Sequence, residues 1–183
     1  MQLKDRPIIN VDVDGVLYDF TAAMRTEVHA VMGIPKEELP YPDQWSIHES
    51  WPISAEQFNS IMYDGIAHGR VFVNGGLMGG VETRSSLYRL RKNGWHVRIV
   101  TSKTFRDGFV TLQARKSTLD WLDRQEVPYD TISFTSSDIG KQGLLADAVV
   151  DDKPDMSWTQ YGADNFLFDQ PWNQPSEVAV EWE

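Results

Sequence analysis

The hydrophobic residues of this chain fall into short runs separated by longer amphipathic stretches. The first run, Ile8, Ile9, Val11 and Val13, is bounded by Pro7 and Gly15. A short apolar run closed by turn residues predicts a strand buried on both faces, as in a parallel sheet. Further runs follow at Trp95 to Thr101, Thr131 to Phe134, Ala148 to Val150 and Asn165 to Phe168. Between them the spacing is helical. Asp19 to Met32 reads as a helix ended by Gly33, and Ala55 to His68 as a second, opened by a capping box of Ser54 and Gln57. Val81 to Asn93 turns Leu87 and Leu90 inward. Asp107 is placed to cap a helix reaching Gln125, with Phe109, Leu112, Leu119 and Leu122 on one side. Strands alternating with helices predict an α/β fold: a Rossmann-like parallel sheet with helices on both faces and right-handed crossovers.

The rhythm is interrupted once, early. Residues 35–52 read PKEELPYPDQWSIHESWP, irregular yet unlike a linker, because Tyr41, Trp45 and Trp51 are costly to leave in water. Arg70 to Val73 reads as extended, and Gly75, Gly76, Gly79 and Gly80 mark a flexible return. Residues 20–75 are therefore expected to form a small helical cap inserted after the first strand, with 1–19 and 76–183 forming the core domain.

In parallel sheets, ligands bind beyond the carboxyl ends of the strands. Here those ends are polar. Asp12 and Asp14 end the first strand, their spacing placing both on one side of it, and Gly15 lets the backbone turn sharply. Thr101 and Ser102 end the second strand, Asp151 and Asp152 the fourth, and Lys141 lies in the connection before the fourth. Two like charges about 4 Å apart repel by roughly 4 kcal/mol at an effective dielectric of about 20. Four ionised carboxylates on one rim thus require cations or shifted pKa values. An oxygen-rich acidic site suits Mg²⁺, which shares its coordination with waters and a substrate phosphate. The residues alone point to magnesium-dependent phosphate chemistry. A hairpin at Asp14-Gly15 lacks a second strand, and a calcium loop would need more acidic positions before its glycine.

Composition narrows the classes. The chain has 183 residues, 41% of them hydrophobic, and a net charge of −10. That is one globular domain with room for a small insertion, and its charge disfavours stable binding to nucleic acid or an anionic membrane surface. An anionic substrate would need local cations. Without cysteine, disulfides, zinc thiolates and thiol catalysis are excluded. No signal pattern or long apolar run is present, so a soluble cytoplasmic protein is expected. His29, His48, His68 and His96 share no metal-like spacing and are expected in solvent. Asp19 is expected to cap the first helix; Lys103, Arg106 and Lys153 to be exposed; Trp158, Trp172 and Trp182 to be packing or surface.

DVDGV at Asp12 to Val16, VTS at Val100 to Ser102, Lys141, and VVDDKPD at Val149 to Asp155 resemble the four motifs of the haloacid dehalogenase superfamily of phosphatases. The match runs in order from about residue 7 to 155. More narrowly, the chain is similar to the 5′(3′)-deoxyribonucleotidases: Phe20 follows the first motif closely, a cap follows directly, Lys141 precedes Asp151 by a short gap, and FDQPWN occupies Phe168 to Asn173. The resemblance implies a nucleoside monophosphate substrate and leaves a homodimer open. Asp12 would be the nucleophile, forming an aspartyl-phosphate, and Asp14 the acid and base for the leaving group and water. Thr101 and Ser102 would donate to phosphate oxygens, and Lys141 would neutralise their charge. Mg²⁺ would be held by Asp12, the Asp14 backbone carbonyl and the Asp151/Asp152 pair, with Asp152 the direct ligand and Asp151 the partner of Lys141 or of a metal-bound water. Phe20, Trp45 and Phe72 are expected to face the base, at roughly 1–3 kcal/mol per stacking contact. Ile139 departs from the family, which places an arginine two positions before the motif lysine; this puts any contact made through that arginine in question. The alternatives are another small phosphate ester, a 3′-phosphate end, or a non-catalytic receiver-like or binding domain. A receiver carries its acids and lysine in a different order.

Overall fold

A computed structural model of the chain describes residues 6–136, 140–141, 143–153 and 162–174. Five strands, β1 (Ile8–Val11), β2 (His96–Ser102), β3 (Thr131–Thr135), β4 (Ala148–Asp151) and β5 (Asp164–Leu167), form one sheet in the order β3-β2-β1-β4-β5. All four pairings are parallel. β1 lies at the centre, where its apolar residues are covered from both faces; Ile9 and Val11 are buried, as are Val97 and Ile99 on β2. Val11 is in register with Ile99 on one side and Val150 on the other. The acidic ends of β1 and β4 and the hydroxyl end of β2 therefore share one rim.

Among the described residues, helices α1 (Phe20–Met32), α2 (Ala55–Ala67), α3 (Gly80–Lys92) and α4 (Gly108–Arg124) accompany the sheet. Their starts follow the sequence signals. The Asp19 carboxylate accepts from the Ala22 N–H at 2.8 Å, Ser54 and Gln57 form the reciprocal capping box, and Asp107 accepts from Phe109 and Val110. The buried face of α4 differs from the one expected. Val110, Ala114, Ser117, Thr118, Trp121 and Leu122 face inward, while Phe109 and Leu112 are exposed. Ala114, Ser117 and Thr118 carry little apolar weight, yet their small side chains let α2 and the 71–73 turn pack closely on this helix. Thr118 satisfies its hydroxyl on the Ala114 carbonyl at 2.9 Å, so its burial costs little.

Residues 71–73 form a single 3₁₀ turn rather than an extended segment. Side chains distant in sequence impose it. The Tyr18 hydroxyl donates to the Val71 carbonyl and accepts from the Gly75 N–H, and the Trp121 indole donates to the Gly75 carbonyl at 2.9 Å. Arg70 is held by Glu27 at 2.9 Å and Asp64 at 2.7 Å. His96 also departs from expectation: it is buried, its ring paired with the Thr131 hydroxyl at 2.9 Å. Among the described residues, no helix is long and apolar enough to cross a membrane. Ile139, Trp158 and Trp182 lie outside the described residues.

Candidate active site

The site is built on the turn after β1. The Asp12 N–H donates to the Val150 carbonyl at 3.0 Å, extending the β1–β4 pairing by one residue. The Leu17 and Tyr18 N–H groups then both close on the Val13 carbonyl, and the Gly15 N–H donates to the Tyr18 carbonyl. Gly15 has φ +75°, and a Cβ there would stand 2.0 Å from Oδ2 of Asp152. Only glycine lets the two strand-end loops approach this closely. Residues after β5 clamp them together. Gln170 Nε2 donates to the Gly15 carbonyl at 2.5 Å, while Asn173 Nδ2 and Trp172 Nε1 donate to the Asp152 carbonyl at 2.9 and 3.3 Å. The side chains of the FDQPWN segment thus brace the acidic rim.

Lys141 Nζ stands 2.7 Å from Asp12 Oδ2 and 3.1 Å from Asp151 Oδ2. Asp12, Asp151 and Asp152 are buried, and each offers an oxygen within 4.8 Å of the others. Burial pushes the Asp12 carboxyl up to about 7; the Lys141 ammonium opposes this, and the charges of Asp151 and Asp14 add to it. Burial together with the charges of Asp12 and Asp151 pushes Asp152 up to about 8. Burial alone would lower the Lys141 pKa, but its two carboxylate partners outweigh it and hold the ammonium above its ordinary value. Thr101 is buried, and Ser102 shares a hydrogen bond with the Thr135 hydroxyl at 3.0 Å. Among the described residues, Asp12 Oδ1, Asp14 Oδ1 and Thr101 Oγ1 are buried with no hydrogen-bond partner.

These groups open onto a cavity of about 400 Å³, in the range of small-ligand sites. Asp12, Asp14, Thr101, Ser102, Lys141, Asp151, Asp152 and Lys153 line it, together with the rings of Phe20, Tyr41, Trp45, His48, Phe58 and Trp172. Trp45 is 52% exposed and meets Trp172 edge-on, with 6.5 Å between centroids, so one aromatic comes from the inserted segment and the other from the core. Trp172, expected as packing or surface, is therefore part of this lining.

Phe72 is not brought to the cavity. It is buried beneath Phe20, the rings stacked at 6.0 Å and 25°, and it packs on Tyr18 at 6.2 Å. Trp51 is buried as well, its indole donating to the Pro40 carbonyl at 2.8 Å. Lys103, expected in solvent, is fully buried; its ammonium pairs with Asp14 Oδ2 and lies 3.7 Å from the Phe72 ring centroid. Burial lowers its pKa, and Asp14 opposes the shift. The one sequence signal for Lys103 is its place directly after the hydroxyl pair, next to a rim with excess acid.

The rim suits a divalent cation. Asp12, Asp151 and Asp152 bring oxygens within 4.8 Å of one another, with Lys141 shared between Asp12 and Asp151, and a cation would offset the repulsion that remains. All the side-chain donors are hard oxygens, and unpartnered carboxylate oxygens stand buried where they would otherwise cost several kcal/mol, on the order of the desolvation of a polar group.

The fold is shared with solved structures, among them a haloacid dehalogenase-like family protein. A haloacid dehalogenase-like hydrolase from Streptococcus pneumoniae superposes with a TM-score of 0.55 at 17% identity, covering 90% of this chain and 85% of that one. A hydrolase from Streptococcus pneumoniae TIGR4 gives 0.54 at 18% identity, covering 90% and 94%. The chain has the haloacid dehalogenase-like fold. The model of the family described as "5' nucleotidase, deoxy (Pyrimidine), cytosolic type C protein" matches residues 6–182, and the chain belongs to that family. It is a phosphoric monoester hydrolase of the 5′-nucleotidase type. A "Putative 5'(3')-deoxyribonucleotidase" of Chlorobaculum tepidum is 28% identical over 152 residues, covering 83% of this chain and 72% of that one.

Proposed function

We propose that this protein is a Mg²⁺-dependent 5′(3′)-deoxyribonucleotidase of the cytoplasm, removing phosphate from deoxynucleoside monophosphates. The observation that carries this reading is one cavity lined both by acids, hydroxyls and Lys141 and by aromatic rings. A phosphate fits the first set of side chains and a base the second. Residues 20–75 act as a cap that supplies Phe20, Tyr41, Trp45, His48 and Phe58 to the second set. The net charge of −10 favours a small substrate over a long polyanion.

Asp12 is the nucleophile. One of its carboxylate oxygens attacks phosphorus as the bond to the nucleoside oxygen breaks, and Asp14 gives that oxygen a proton. The nucleoside leaves as an alcohol, with Asp12 phosphorylated and Asp14 ionised. A water then attacks phosphorus and yields its proton to Asp14. The acyl-phosphate bond breaks, Asp12 is regenerated and inorganic phosphate departs. Thr101 and Ser102 donate to the phosphoryl oxygens, and Lys141 meets the charge that develops on them. Asp12, Asp152 and the Asp14 carbonyl would hold Mg²⁺, with Asp151 fixing Lys141. When bound, the ion supplies positive charge to the phosphoryl group and keeps Asp12 ionised.

A panel of deoxyribonucleoside and ribonucleoside monophosphates, phosphorylated at 5′ or 3′ and assayed with Mg²⁺ and with EDTA, tests the reading. Mg²⁺-dependent release of phosphate is expected, with deoxyribonucleotides preferred. Turnover of other small phosphate esters but not of nucleotides would refute the substrate class, and full activity in EDTA would refute the metal.

A further inference from the structure

Lys103 is buried beside a catalytic carboxylate, yet it has no place in the reaction as written above. We propose that it is a positioning residue for Asp14: by pinning Oδ2 it fixes the direction of the carboxyl group that passes protons to the leaving group and from water. The proposal rests on the reading of Asp14 as acid and base.

The two partners have opposite surroundings. The Lys103 side chain is 1% exposed, whereas that of Asp14 is 32% exposed and lines the cavity. The lysine is the fixed member of the pair. Its backbone is anchored just past β2, with the Arg115 Nε donating to the Lys103 carbonyl at 3.2 Å and the same guanidinium reaching the Thr104 hydroxyl at 2.9 Å. Its ammonium is roofed by the Phe72 ring, itself buried against Tyr18 and Phe20. In this slot the ammonium meets Asp14 and does not line the cavity, so it does not reach a bound phosphate. At Asp14, Oδ2 is occupied by the lysine, while Oδ1 is buried with no hydrogen-bond partner among the described residues, so the lysine is the one side-chain contact that sets the carboxylate's direction.

A purely architectural role explains this poorly. An apolar side chain of similar volume would fill the space between Asp14 and Phe72 without the desolvation cost of a buried ammonium. What the lysine adds is a fixed direction for a carboxylate that has no other side-chain hydrogen bond among the described residues to hold it at the cavity. General acid catalysis depends on that direction, because the proton must lie on the line to the leaving oxygen as the phosphorus–oxygen bond lengthens.

The leaving group separates positioning from stability. A nucleoside alkoxide needs a proton to depart and p-nitrophenolate does not, and kcat/KM reports the steps through Asp12 phosphorylation for both. Asp14→Asn should cut kcat/KM on a nucleoside 5′-monophosphate by about 10²- to 10⁴-fold, and much less on p-nitrophenyl phosphate. Lys103→Met, which keeps the stem and removes the donor, should cut the nucleotide reaction by about 10- to 100-fold and the p-nitrophenyl reaction by less than about threefold. Added to Asp14→Asn it should cost little more, since both changes disable one function. Lys103→Gln restores a donor and should recover part of the loss; it carries the same two-substrate comparison if Lys103→Met does not fold. Equal losses on both substrates from the Lys103 variants, or a full additional loss on the Asp14→Asn background, would overturn the proposal. If Asp14→Asn itself loses equally on both substrates, the proton role of Asp14 fails first and the positioning role with it.

Discussion

Trp45 and Trp51 stand in one irregular segment and meet different surroundings. Trp51 is 5% exposed, bonds the Pro40 carbonyl and packs on Phe58 at 6.0 Å; Trp45 is 52% exposed at the cavity lip. Trp51→Ala should lower stability by about 3–5 kcal/mol, the cost of emptying a buried tryptophan site, measured by denaturant unfolding. Trp45→Ala should leave unfolding unchanged and cost about 1–3 kcal/mol in kcat/KM for nucleotides, with p-nitrophenyl phosphate little affected. A stability loss at Trp45 would place it in the cap's own packing. The sequence could not tell these two tryptophans apart, because both interrupt a polar loop in the same way. Phe72 misled differently: it reads as an aromatic on an extended segment, whereas the 71–73 turn buries it beneath Phe20. Lys103 was illegible on other grounds: a lysine after a strand end reads as solvated, and its burial arises from Asp14 and Phe72, both remote in sequence. The acids and hydroxyls were legible because each closes an apolar run, and in a parallel sheet run ends converge.

At the scale of elements, strands were legible to within a residue or two because their apolar runs are short and sharply closed. The face of α4 was not. Its large apolar residues Phe109 and Leu112 point outward, and close packing selected the small residues instead. The ends of β1 and β4 carry a consequence for stability. Burial and neighbouring carboxylates push Asp12 up to about 7 and Asp152 up to about 8, from the ordinary carboxylate value of 3.8. Folding therefore raises proton affinity at both sites, and the stability they contribute is full below 3.8 and lost as pH rises through 7 to 8. In EDTA the thermal midpoint should fall between about pH 5 and 8, and added Mg²⁺ should raise it most at the upper end, where no protons need displacing. A midpoint that rises with pH in EDTA, or a Mg²⁺ effect independent of pH, would contradict this.

The whole molecule joins an acidic rim fixed by the sheet to aromatic rings drawn from residues 20–58 and from Trp172. Tyr18, Trp121 and Arg124 fasten residues 71–75 to the elements around them. A chain of net charge −10 draws an anion only where local cations outweigh the field, and that place is the rim beside Lys141. The central claim is that Asp12 is the group that takes the phosphoryl. The measurement that tests it most directly is Mg²⁺-dependent turnover of a deoxynucleoside 5′-monophosphate by wild type and by Asp12→Asn, each first shown to unfold at a similar midpoint. Loss of the nucleophile should remove at least about 5 kcal/mol of barrier lowering, more than a thousandfold in kcat. A folded Asp12→Asn variant working within about tenfold of wild type would contradict the account, since a carboxamide cannot form the aspartyl-phosphate.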